Sequence, residues 1–410
     1  MDAREAPRDR LRELPDETPI NILERLDTLD ALRTCFISKR LLRLPAMLSR
    51  FDIHICSLTS RHNTTSHGFN TDHIAWYNNV AASVTEKVLC AKSLDTSIIQ
   101  ELSVTCYLRP DKCLPITRAF AGIMATHKVV KAEFVPIVEK PLSECTPGDL
   151  VCYAKRFNTC LGDCSAAFAG LTHLWLDTMR FGGMDIPSIL THLSTLRLAK
   201  TGNSSTMNLE LSRLLANAPT IRDLYLDFTS EKIWVVPESP KLLAHVLSKL
   251  AIVNLDNLPE GCDIGWTMFI LEAAPTLREL CITVWDHLCN MVRDQDARRK
   301  HGFCEKTNVK WQPSASGFKH KNLVKLIIHG LQQDENMVRY VRRVMEVAVN
   351  MGAICLHDRK VYGCCGDLDP KFKVCPSSYP TTSEEKDMML VEMTNGFGLT
   401  ASPDVIHFKS

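Results

Sequence analysis

The side chains best suited to chemistry are spread thinly along this chain. It holds 17 cysteines and 14 histidines in 410 residues. A zinc site draws on pairs such as CxxC or HxxxH, which let one short segment offer two donors to a tetrahedral ion. His287, Cys289, His301 and Cys304 gather between 285 and 320 without forming such a pair. Cys355, His357, Cys364, Cys365 and Cys375 gather further on, but adjacent cysteines do not easily chelate one tetrahedral ion. The chain also lacks a Walker loop, a strand-borne GxGxxG, a GxSxG elbow and an HExxH helix. No metal, no cofactor and no catalytic set is expected, and the reading is a protein that binds instead of catalysing.

Charge narrows what it binds. Lys plus Arg number 48 and Asp plus Glu 47, for a net charge of +1. So even a balance argues against nucleic acid or an anionic membrane as the partner, since both are held mainly by bulk charge. No run of 18 apolar residues predicts a membrane span, and MDAREAPRDRLRELPDE has no apolar core for a secretory signal. The expected setting is the nucleus or cytoplasm, where most of the cysteines serve as small buried hydrophobes.

The residues that could bind lie in a repeat. Residues 214–226 read LLANAPTIRDLYL and 270–282 read ILEAAPTLRELCI, offset by 56 residues or two units of 28. In each copy an apolar helix meets a proline, which cannot continue it, and an L-x-x-L-x-L segment follows. The same signature starts at Leu171, Leu193, Ile221, Leu250, Leu277 and Leu323, in steps of 22, 28, 29, 27 and 46. Weaker members start at Ile99 and Val129. Four of the five steps sit near the leucine-rich-repeat period of roughly 20–29 residues. The predicted fold class is α/β: a solenoid with parallel strands on a concave face and helices on the convex face.

Strand alternation sends the fourth and sixth motif positions inward and the residues between them outward. The concave face then carries Trp175 and Asp177, Arg197, and Asp223, Tyr225 and Asp227. An aromatic ring beside charges is the usual composition of a protein-binding hot spot. These six are the candidate substrate-binding residues, and the substrate is an unidentified protein.

The N-terminal segment 11–44 reads LRELPDETPINILERLDTLDALRTCFISKRLLRL. Asp16 and Asp30 suit N-caps of two short helices, and 38–44 suits a third. Three such helices cannot hide all their apolar residues from one another, so a partner is expected to cover the remainder. LPDE, NILERL, LDALRTC and ISKR, in this order and spacing, resemble the F-box of plant proteins that pair an F-box with leucine-rich repeats, the grass type most closely. Thr18-Pro19 and Leu41 depart from that pattern, where the family usually has an apolar pair and often a tryptophan. The resemblance implies docking onto a Skp-type adaptor and, through it, a cullin. Leu14, Pro15, Ile22, Leu23, Leu26, Leu32 and Ile37 match the family's apolar positions.

The expected organisation is an F-box-like helical module at 1–50, then a linker strand, loop and helix at 51–90. The solenoid follows at 91–330, with an insertion at about 285–320. A capping helix at 331–360 and a loosely ordered tail at 361–410 complete the chain. The implied function is the substrate receptor of a Skp–cullin–F-box ubiquitin ligase. The alternative is a leucine-rich-repeat scaffold or ligand-binding protein whose N-terminal segment is only a cap.

Overall fold

The computed structural model describes residues 14–38, 40–55, 71–91, 98–108, 113–139, 146–177, 190, 192–199, 209–286, 296, 311, 317–359, 377–395 and 402–409. It divides into two compact units, 1–141 with 152–175 and 142–151 with 176–410. The motifs found in the sequence are its strands. In the first unit β1 (Arg50–His54), β2 (Ile99–Tyr107), β3 (Val129–Ile137) and β4 (His173–Asp177, whose end passes into the second unit) pair in parallel, in chain order.

In the second unit the strands are β5 (Thr195–Ala199), β6 (Asp223–Asp227), β7 (Ile252–Leu258), β8 (Glu279–Val284), β9 (Lys325–His329), β10 (Ala353–His357) and β11 (Ile406–Lys409). Again each pairs in parallel with its sequence neighbour. Parallel neighbours need a crossover on one side of the sheet, and the leucines point to that side. Leu196, Leu224, Leu226, Val253, Leu255, Leu280, Ile282, Leu326 and Ile328 are wholly buried, as are the motif-opening Leu193, Ile221, Leu250, Leu277 and Leu323. Phe228 packs on Trp234 and Trp266, which stacks on Phe269. In the first unit Phe120, Phe134 and Phe168 form a comparable cluster.

One joint recurs at the entry to β6, β7, β8, β9 and β10. The carbonyl of Ser194 accepts the N–H groups of both Arg222 and Asp223, and that of Arg222 accepts those of Ala251 and Ile252. Ala251, Arg278 and Val324 repeat the arrangement toward the next strand. A side-chain joint accompanies it where the repeats are most alike. Thr220 Oγ1 donates to Leu193 O at 2.8 Å, and the equivalent Thr276 Oγ1 donates to Leu250 O at 2.9 Å.

Between β8 and β9 the register is kept, Leu280 opposite Leu326 and Ile282 opposite Ile328, despite the longer step. Most of the insertion, with His287, Cys289, His301 and Cys304, lies outside the described residues, as do Cys364, Cys365 and Cys375.

The C-terminal expectations need correction. The helix Glu335–Val347, capped by Asp334 Oδ1 on Met337 N, does not seal the last repeat, because β10 follows it. The tail is not loosely ordered where it is described. Thr382 and Glu385 form a capping box that starts the helix Ser383–Thr394, and β11 then pairs with β10. The stack therefore runs two strands further than the motif count.

The N-terminal module has two short helices, α1 (Glu17–Leu23) and α2 (Thr28–Cys35), then a 3-10 turn at Leu41–Met47 in place of a third α-helix. Asp16 precedes α1 without capping it through its side chain, which instead pairs with Arg40. Asp27, not Asp30, caps α2, accepting from Leu29 N and Asp30 N. Asp30 falls in the first turn, where a negative charge suits the helix dipole.

Candidate functional site

Two faces carry the candidate residues. The first is on the helical module, where α1, α2 and the 3-10 turn fold onto one another and onto β1. Leu23, Leu29, Ala31, Cys35, Leu41, Leu44 and Leu48 are buried there. Glu24, just past α1, accepts from both the N–H and the hydroxyl of Ser49 at 2.7 Å, which ties the module to the residue before β1. Apolar residues also remain outside, among charged ones. Among the described residues fourteen large hydrophobic side chains are exposed, and six of them fall between 22 and 47: Ile22, Leu26, Phe36, Ile37, Leu42 and Met47. So high a concentration in one short segment marks a surface, since scattered exposed hydrophobics need no explanation.

The seven residues matched to the F-box positions separate on this basis. Ile22, Leu26 and Ile37 are exposed, Ile37 at 71%. Pro15 is exposed too, and Leu14 and Leu32 are half-buried. Leu23 is 2% exposed and belongs to the module's own core. Phe36, at 78%, is a surface residue too. It is the C-cap of α2, just past Cys35.

The second face is the side of the strands away from the leucines. In the second unit Arg197 of β5 lies opposite Tyr225 of β6, which lies opposite Asn254 of β7. Asp223 lies beside Thr195, whose hydroxyl donates to Asp223 Oδ2 at 3.1 Å. Asp227 lies beside Asp256. Arg197, Asp223, Tyr225 and Asp227 are all half-buried, so the structure brings these four together on adjacent strands. Burial and the nearby Asp223 push the Tyr225 phenol above its usual range, while Arg197 pulls the other way. Trp175 is half-buried on β4 in the first unit, and the side chain of Asp177 lies outside what is described.

The same face continues onto β9 and β10. Lys325 Nζ donates to Glu279 Oε2 at 3.3 Å across β8 and β9, and the rings of His329 and His357 stack at 4.4 Å across β9 and β10. His357 could not be placed without β10. In the first unit Lys131 bridges Glu101 and Glu133, and a groove of about 220 Å³ is lined by Glu24, Leu26, Asp27, Asp52, Glu101 and Glu133 among others. Burial pushes the Asp52 carboxyl above the usual carboxylate range, with His54 opposing.

No known family model matches the chain, and no curated protein matches it. Among solved structures it is similar to the leucine-rich repeat-containing protein LegL7 from Legionella pneumophila, with 13% identity over 84% of this chain and 98% of that one. The TM-score of 0.38 makes this a distant likeness that carries no functional argument. The repeat architecture stands on this chain's own strands.

Proposed function

We propose that this protein is the non-catalytic substrate receptor of a Skp–cullin–F-box ubiquitin ligase. The helical module docks a Skp-type adaptor and the strand face holds the protein to be ubiquitinated. One observation carries the reading: the concentration of Ile22, Leu26, Phe36, Ile37 and Leu42 on the outside of a module whose interior is already filled. Covering such residues is worth about 25 cal/mol per Å² of apolar surface, enough for a small module to hold a partner. The F-box resemblance supplies the kind of partner, and the repeats supply a long polar face beside it in sequence.

The second reading is a repeat scaffold with an N-terminal cap. The bond from Ser49 to Glu24 and the burial of Leu23, Leu44 and Leu48 favour it, because a cap needs those contacts. A cap does not need Phe36 and Ile37 in water.

Capture of a purified Skp-type adaptor separates the two. Ile22→Asp and Ile37→Asp should each weaken capture at least tenfold while leaving the circular dichroism spectrum unchanged, since a charge at a desolvated contact costs several kcal/mol. Equal capture by wild type and both variants would leave the module as a cap.

A further inference from the structure

The helix Ser383–Thr394 carries more apolar residues than its buried side takes in. Its middle reads MMLV, residues 388–391, and consecutive apolar positions point around a helix instead of along one face. Met389 and Met393 are buried, whereas Met388 is 62% exposed and Val391 61%. Its neighbour is the helix Glu335–Val347, whose own apolar stripe is buried.

Between the two helices, within the second unit, runs a groove of about 530 Å³. Val338, Met388 and Met389 give it an apolar lining. Asp334, Glu335, Glu385 and Glu392 line it too, with Arg342 as the one cation among the lining residues. The acidity is local, since the chain as a whole carries +1.

The charges around the groove do not cancel. Asp334 accepts from the Met337 amide, and Glu385 from the amides of Thr381 and Thr382, all neutral donors. The Thr382 and Thr381 amides hold the Glu385 carboxyl below the usual carboxylate range, so it is charged at neutral pH. Arg339 pairs with Glu335 and Arg343 with Glu346, each at 2.8 Å. Arg342 donates to the backbone carbonyl of Glu392, which joins the two helices and leaves the Glu392 carboxylate without an ion pair. Lys386, the one cation of its helix, does not line the groove.

Such a groove suits a ligand with an apolar stripe and cations beside it. The lining runs from 334 to 342 on one helix and from 385 to 392 on the other, about two turns each. A helix laid along it would bring apolar residues spaced i, i+3, i+4 and i+7 onto the apolar lining. Methionine adapts to such a partner, because its unbranched side chain fits many shapes.

We infer that this groove takes a basic amphipathic helix of a partner protein, its apolar stripe on Val338, Met388 and Met389 and its cations at Asp334, Glu385 and Glu392. The inference rests on neither the adaptor surface nor the strand face.

The test uses the full chain and a fluorescent Ala-Lys peptide of about 15 residues, roughly four turns, with Leu along one helical face. One comparison peptide has the same composition scrambled, and another carries Glu in place of Lys. Anisotropy should show the first peptide binding at least about tenfold tighter than either comparison peptide. Met388→Ser, and the pair Glu385→Gln with Glu392→Gln, should each weaken it at least about fivefold. Glutamine also serves in a capping box, so the helix start is kept. Val391→Ser, and the pair Glu384→Gln with Asp387→Asn, alter the same helix outside the groove and should leave binding unchanged. No binding, equal binding of a comparison peptide, or equal weakening by the matching control would overturn the inference. Sedimentation velocity of the chain alone covers another occupant. A dimer that Met388→Ser dissolves would mean that the groove takes a second copy, and would overturn the inference as well.

Discussion

Glu24 and Ser49 hold the helical module and the first strand together. One carboxylate oxygen of Glu24 accepts both the amide and the hydroxyl of Ser49, and the Ser49 carbonyl in turn accepts the amides of Gln100 and Glu101 at the start of β2. The end of α1 is thereby linked, through one residue, to the first two strands of the sheet. Glu24→Ala leaves the Ser49 amide without its acceptor and should cost about 1–3 kcal/mol. Glu24→Gln keeps an acceptor oxygen and should cost less. Urea unfolding of the full chain ranks the two, and equal costs would mean the bond adds nothing.

Leu23 and Ile22 are neighbours in sequence and opposites in role. Leu23 is buried in the module and Ile22 is half in water. Leu23→Ala should therefore cost about 2–5 kcal/mol, as a truncation in a packed core does. Ile22→Ala should change stability by less than about 0.5 kcal/mol, as a surface substitution does. Thermal melts of the two variants check the contrast. Because of it, loss of adaptor capture in a Leu23 variant reports folding, whereas loss in an Ile22 variant reports contact.

Thr220 and Thr276 occupy the same place in two repeats and make the same bond to the preceding one. Replacing either by valine keeps the volume and removes the hydroxyl's bond, which at Thr276 is shared between Leu250 O and Ser248 O, at about 1 kcal/mol. The two bonds share no partner, so the double variant should lose about the sum. A loss much larger than the sum would show that the repeats between them unfold as one unit.

His320 sets a pH dependence. It is 2% exposed, and its Nδ1 accepts from Leu323 N at 2.9 Å while Nε2 faces Ala274 O at 3.0 Å. An imidazole that accepts at Nδ1 is neutral, and burial holds its pKa below the ordinary 6.5, with the Ala274 carbonyl opposing. The unfolded chain then takes up a proton first as pH falls. The stability that the neutral ring contributes is present above about pH 6.5 and is lost on acidification through the folded-state value below it. Urea midpoints at pH 7.5 and 5.5 should drop further for wild type than for His320→Gln. An equal drop in both would remove His320 as the cause.

The repeat was legible because each strand writes its burial as L-x-x-L-x-L, and the register follows from that alternation. Two strands escaped for identifiable reasons. β10 does carry the pattern, with Met351, Ile354 and Leu356, but Met351 reads equally well as the end of the preceding amphipathic helix. β11 offers only Ile406 and Phe408, with Pro403 where the first apolar residue belongs. The helix before β11 announced itself by Thr382 and Glu385 at capping-box spacing, masked by the serines and threonines around them. On the module, composition gave the apolar residues but not their sorting. Phe36, one turn on from Leu32, is exposed at the helix end, and periodicity does not tell which end residues a core covers.

Among the described residues the carbonyls that receive two amides from the next repeat belong to Ser49, Ser194, Arg222, Ala251, Arg278 and Val324, six positions filled by four residue types of unlike size and charge. A peptide oxygen with two lone pairs is present whatever side chain its residue carries. Any substitution but proline at these positions therefore leaves the joint in place. The side chains there can change what each repeat shows to solvent without loosening its grip on the neighbouring repeat. Such a surface can be altered one strand at a time while the sheet stays joined.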